Sequence, residues 1–85
     1  MKIDVQLDAV HRERLSQIAK WGHDGVESPD YPEINKLGIL TEEFLEFTRT
    51  ILDHESKERK LEELTQVAAV CVAWMESYAS SDNQG

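Results

Sequence analysis

Glu62-Glu63-Leu64-Thr65-Gln66-Val67-Ala68-Ala69-Val70-Cys71-Val72-Ala73-Trp74-Met75 is the stretch that decides the fold. It holds no glycine or proline, and a charged run, Lys57-Glu58-Arg59-Lys60, precedes it. The whole reads as one helix over about Lys57 to Tyr78. From Val67 to Met75 every residue is apolar, so this half of the helix has no solvent face. A helix that is apolar all round must be buried all round. The rest of the chain is too short to enclose it, so the sequence predicts cover from another copy, as a homodimer or a dimer of dimers.

Immediately upstream, Asp53-His54-Glu55-Ser56 is a short polar turn, which makes the preceding helix an antiparallel neighbour. That helix is expected to begin near Asn35 or Thr41 and to end near His54. Leu40, Phe44, Phe47 and Ile51 recur at i, i+4, i+7 and i+11 and are expected to face the core. Further upstream lies an irregular stretch, Gly22 to about Glu33, with Gly25, Ser28-Pro29-Asp30 and Pro32 as turn residues. A loop of this length in a small chain is more often functional than decorative. Before it, a first helix is expected from Asp8, as N-cap, to Lys20, with Gly22 stopping it. Val10, Arg14, Leu15, Ile18 and Ala19 form its imperfect apolar face. The tail, Ser80 to Gly85, reads as frayed and solvated. The expectation is therefore one all-α domain over residues 1–85, an antiparallel helical hairpin plus an N-terminal helix, completed as a bundle by homo-oligomerisation.

With 17 acidic residues against nine basic ones, the 85-residue chain has a formal charge of −8. That balance argues against nonspecific binding of nucleic-acid polymers, which requires Lys and Arg on phosphates. A nucleotide ligand stays open, because divalent cations invert the sign of an acidic patch. The single cysteine, Cys71, allows no intrachain disulfide and fits a reducing cytoplasm. Cys71 lies in the apolar run and reads as a small core residue. Nothing in the sequence looks like a membrane span or signal peptide.

The acids themselves carry a pattern. Glu42-Glu43-Phe44-Leu45-Glu46 sits on the second helix, and Glu63-Leu64-Thr65-Gln66 on the third. Glu43 and Glu46 lie roughly 60° apart on one side of their helix, beside the Phe44–Phe47 stripe. Glu63 heads a stripe whose i+4, i+7 and i+11 members are Val67, Val70 and Trp74. A carboxylate there is costly to bury without a cation or strong donors. Oxygen-only ligation suits Mg²⁺ first and Mn²⁺ second. Spacing alone leaves a metal site and a solvated acidic face both open for Glu43, Glu46 and Glu63. Glu55, Glu58 and Glu62 read as solvated surface.

The chain resembles a known family at these residues. Glu42-Glu43-x-x-Glu46 resembles the EExxE motif of the MazG-like all-α nucleoside triphosphate pyrophosphohydrolases, which are related to the dimeric dUTPases. Glu63-x-x-Gln66 is similar to their ExxD motif, with Gln66 in place of the aspartate. Lys20-Trp21-Gly22 resembles a segment preceding the loop in small phage-type members, and Glu62 to Val70 with Ala73-Trp74-Met75-Glu76 resembles the same subgroup. The resemblance covers about Leu7 to Tyr78. It implies Mg²⁺ held by Glu43, Glu46 and Glu63, with Gln66 at the fourth position and Glu42 as a supporting ligand or water-orienting base. The implied reaction is attack of water on the α-phosphorus of a nucleoside triphosphate, giving a monophosphate and pyrophosphate. Gln66 brings an amide oxygen but no charge, so the alternative is a nucleotide-binding module of this fold with weak or no turnover. A third reading is a structural helical dimer or adaptor with the glutamates as a solvated face.

The resemblance also places Trp21 and His23 at the nucleotide pocket, where Trp21 would stack on a base with His23 beside it. The other reading has Trp21 closing the first helix against the core. Lys20 and Lys36 flank the loop and either reach phosphate oxygens or stay solvated. Tyr31 lies in the loop. Trp74 reads as a core or dimer contact, and His11 and His54 receive no role.

Overall fold

The computed structural model describes residues 2–84, with side chains described over 3–80. The fold is three helices: α1 (Lys2–Trp21), α2 (Glu33–Leu52) and α3 (Lys57–Gln84), with no strand among the described residues. The long apolar helix is the centre of the molecule. Both α1 and α2 pack on α3, and they do not pack on each other. That arrangement leaves a recess over α3, bounded on either side by α1 and α2 and at one end by the loop.

Each helix is longer than its sequence signals suggest. α1 begins at Lys2 rather than Asp8. Nothing in Ile3 to Leu7 breaks a helix, and Asp8, inside it, pairs with Arg12 at 3.2 Å instead of capping. α1 ends as expected at Gly22, which has a positive φ of 74° and donates its N–H to the Ile18 carbonyl at 2.7 Å. α2 begins directly after Pro32, whose carbonyl accepts from Asn35 and Lys36. Thr41 is therefore a helix-interior residue, its hydroxyl donating to the Leu37 carbonyl. α3 continues to Gln84, past the expected end near Tyr78. The tail expected to fray is therefore helical up to Gln84; the side chains of residues 81–84, and Gly85, lie outside the described residues.

The turn between α2 and α3 is closed by backbone geometry. His54 sits in the left-handed region (φ 53°), and the N–H groups of His54 and Glu55 reach the carbonyls of Ile51 and Thr50. This pairing is a Schellman C-cap with histidine where glycine is usual. Ser56 Oγ then accepts from the Arg59 N–H at 3.1 Å and caps α3.

The face of α2 that meets α3 differs from the expected Leu40–Phe44–Phe47–Ile51 stripe. Lys36 and Thr50 are buried and Glu43 half-buried, a line at i, i+7 and i+14. Leu40 and Phe47 are half-buried beside it, while Phe44 and Ile51 are exposed. One helix cannot cover the whole apolar arc of another, and α3 takes the edge nearer Glu43. The buried apolar core is correspondingly small, consisting of Ala69, Val70 and Ala73. Cys71 and Trp74 are half-buried, and Leu64 and Met75 are exposed. The apolar half of α3 is thus enclosed on two sides only.

Candidate metal and ligand site

Glu43 and Glu46 project from α2 toward Glu63 on α3. One carboxylate oxygen from each lies within 4.8 Å of the others. Glu63 is the most enclosed, with its side chain 7% exposed. One of its oxygens accepts from the Arg59 guanidinium at 3.2 Å, one turn earlier on α3. Its Oε2, and Oε2 of Glu43, are buried with no hydrogen-bond partner. Buried polar atoms are almost always partnered, so two orphaned carboxylate oxygens in one cluster require explanation. Three carboxylates at this spacing repel strongly unless a proton or a cation intervenes.

The protonation of Glu43 reflects this crowding. Burial, followed by the charges of Glu46 and Glu63, raises its pKa from 4.5 to about 7. Burial and the Glu46 charge also push Glu63 up, while Arg59 pulls it down without cancelling the rise. Arg59 divides its charge among Glu55, Glu62 and Glu63 and is itself well exposed, so it compensates the cluster weakly.

Beside the cluster, the recess between α1 and α2 is a cavity of about 550 Å³. Glu42, Glu43 and Gln66 line it, as do Lys20, Trp21 and Tyr31, whereas Glu46, Glu63 and His23 do not. Trp21 is 68% exposed, so it does not close α1 against the core. The Lys20 ammonium sits 5.0 Å from the centroid of the Trp21 ring. His23 is exposed and bonds through Nδ1 to Glu27 at 3.0 Å. Lys36 is not brought to the site. Its backbone position on α2 turns the side chain into the contact with α3, leaving the residue 2% exposed and absent from the cavity wall.

Sequence reasoning missed the polar centre of this recess. Arg14, expected among the residues of an imperfect apolar face, is 5% exposed and lines the cavity. Its Nε and Nη2 donate to the two Glu76 oxygens at 3.2 and 2.8 Å, Nη2 also reaches Glu27 at 3.2 Å, and Nη1 donates to Gln17 Oε1 at 3.0 Å. One guanidinium therefore ties α1 to α3 and to the loop. The only advance signal was an arginine on an otherwise apolar face; its partners at Glu27 and Glu76 are too distant in sequence to pair by spacing.

No family model, no curated protein and no solved structure matches the chain.

Proposed function

We propose that the protein is a Mg²⁺-dependent nucleoside triphosphate pyrophosphohydrolase of the MazG-like kind. The observation that carries this reading is the convergence of Glu43, Glu46 and Glu63 beside a cavity, with two buried carboxylate oxygens left unpartnered. The donor set suits a hard cation: it is all oxygen, anionic and drawn from two helices fixed against each other. Glu43, Glu46 and Glu63 would hold Mg²⁺ or Mn²⁺, with the Gln66 amide oxygen adjoining. A divalent ion there supplies charge neutralisation at the phosphates and lowers the cost of water attack on phosphorus. Glu42 is exposed and lines the cavity next to Glu43, where a carboxylate can orient water and accept its proton. Trp21 offers an exposed ring for base stacking, and Lys20 a charge beside it.

The test is a panel of ribo- and deoxyribonucleoside triphosphates with Mg²⁺ or Mn²⁺, scored for pyrophosphate release. Absence of release from every substrate overturns the enzyme reading. Gln66 favours one second reading, because it lines the cavity without charge: metal-dependent nucleotide binding lacking turnover would make the protein a binding module of the same fold.

We further propose that the active form is a cytoplasmic homodimer or dimer of dimers. Leu37, Phe44 and Ile51 recur at i, i+7 and i+14 along α2 and are 49%, 57% and 48% exposed. With Leu64 and Met75 of α3 also exposed, the chain leaves uncovered the apolar surface that a second copy would bury.

A further inference from the structure

Within the proposed nucleotide site, the end of the cavity away from the carboxylate cluster carries its own chemical preference. It is formed by the last turns of α1 and the loop, and Gln17, Trp21, Asp24 and Glu27 line it. Carboxylates outnumber available cations around the cavity. Glu13, Asp24, Glu27, Glu42 and Glu43 line it against Arg14 and Lys20. Arg14 is already committed to Glu76, Glu27 and Gln17. That leaves Lys20 as the one uncommitted cation in the wall.

Glu27 is the best fixed of these acids. Its side chain is 16% exposed, and its oxygens are held by Arg14 at 3.2 Å and His23 at 3.0 Å. Burial pushes its pKa up, but the His23 and Arg14 hydrogen bonds outweigh that and leave it lowered, so it stays an acceptor-only carboxylate. Each oxygen keeps a lone pair beyond the contact it makes. Gln17 is oriented by the same guanidinium. Arginine has only donors, so the amide must present Oε1 to it, which leaves Gln17 Nε2 as a free donor.

We propose that Glu27, fixed by Arg14, is a base-reading residue that selects nucleobases carrying an exocyclic amino group over their oxo counterparts. An amino group brought to this recess gives the carboxylate a donor. An oxo oxygen at the same ring position sets acceptor against acceptor, a repulsion where the amino group makes a hydrogen bond. Arg14 acts through Glu27 as a positioning residue. This inference rests on the nucleotide reading above and adds the class of base.

The test measures equilibrium binding of Mg²⁺ complexes of ATP against ITP and of CTP against UTP, pairs that exchange amino for oxo at one ring position. The native chain is expected to bind the amino member of each pair about ten-fold more tightly. In Glu27→Gln, whose helical content is checked by circular dichroism, the ratio is expected to fall to about one. His11→Ala, an exposed change outside the cavity wall, should keep the preference. Equal binding within both pairs, a preference for the oxo members, or a ratio that survives Glu27→Gln overturns the inference while leaving the nucleotide reading intact. Failure of all four to bind overturns the nucleotide reading itself.

Discussion

Replacing Glu43 with glutamine separates the cost of the carboxylate cluster from its use. Glu43 titrates near 7 in the folded chain against 4.5 when unperturbed. Between those values the folded state holds a proton that the unfolded state has lost, so stability falls as pH rises from 4.5 to about 7 and stays low above it. The full shift corresponds to about 3 kcal/mol. Because Glu43 is only half-buried, solvent screening brings the expected gain of Glu43→Gln at pH 8 to about 1–2 kcal/mol, or roughly 5–15 °C in melting temperature for a domain of this size. At pH 5 the gain should shrink below about 1 kcal/mol, since Glu43 is then neutral in the native chain. Mg²⁺ reverses the order. It should raise the melting temperature of the native chain at pH 8 much more than at pH 5, and leave the variant nearly unmoved. The assay is thermal unfolding by circular dichroism at both pH values, with and without Mg²⁺, at one protein concentration. A variant destabilised at pH 8 without metal would refute the electrostatic account of the cluster. A native chain indifferent to Mg²⁺ and Mn²⁺ at pH 8 would refute its reading as a cation site.

Other residues give independent checks. Glu63→Gln is expected to abolish pyrophosphate release, whereas Gln66→Asp should tighten metal binding, read by calorimetric titration with Mn²⁺. Arg14→Met leaves Glu76 and Glu27 without their shared cation and should cost about 2 kcal/mol, discounted from the value for fully buried pairs because Glu76 is 41% exposed; chemical denaturation reads it. His54→Gly relieves a left-handed non-glycine cap and should stabilise the chain by about 0.5–1 kcal/mol in the same assay. Phe44→Lys places a charge in the exposed α2 stripe, and sedimentation should show loss of self-association with the helical signal retained.

The fold was legible where periodicity and composition act locally. A run from Val67 to Met75 without a polar residue marked a helix, and α3 is the helix on which the other two pack, though Met75 stays exposed. Gly22 and the turn Asp53-His54-Glu55-Ser56 marked boundaries because backbone conformation there depends on a few neighbouring residues. Helix starts were less legible. Asp8 and Thr41 are good cap residues in isolation, yet both lie inside helices because nothing upstream stops the chain from continuing. Helical spacing put Glu43 and Glu46 on one side of α2 and left a metal site and a solvated face both open; the family resemblance grouped them with Glu63, and the structure brings an oxygen of each within 4.8 Å of the others. No comparable rule fixes how α1 approaches α3. Arg14, Glu27 and Glu76 therefore met without warning, and Lys36, expected beside the loop on phosphate oxygens or in solvent, is instead buried on α2.

The distribution of burial points to why the cluster is tolerated. Among the described residues the buried apolar side chains are two alanines and a valine, while Arg14, Lys36 and Glu63 are buried charged residues. Such a core contributes little hydrophobic stabilisation, since alanine adds one methyl group and each buried charge needs compensation. A chain with that balance has no surplus with which to carry two unpartnered carboxylate oxygens. Binding of a cation at Glu43, Glu46 and Glu63 would remove the repulsion, and a second copy over Leu37, Phe44 and Ile51 would add the missing apolar burial. The two effects would meet on α2, where Glu43 belongs to the carboxylate cluster and the next residue, Phe44, is exposed. Shifting the rotation of α2 on α3 to bury Phe44 would draw Glu43 away from Glu63. Packing the helix to hold the carboxylate in place therefore leaves its aromatic neighbour exposed for association. Metal affinity and self-association are consequently expected to be linked: Mn²⁺ should strengthen self-association of the native chain, and Phe44→Lys should weaken Mn²⁺ binding although Phe44 contributes no ligand. Independent binding curves, with Mn²⁺ affinity unchanged in Phe44→Lys, would dissolve that link.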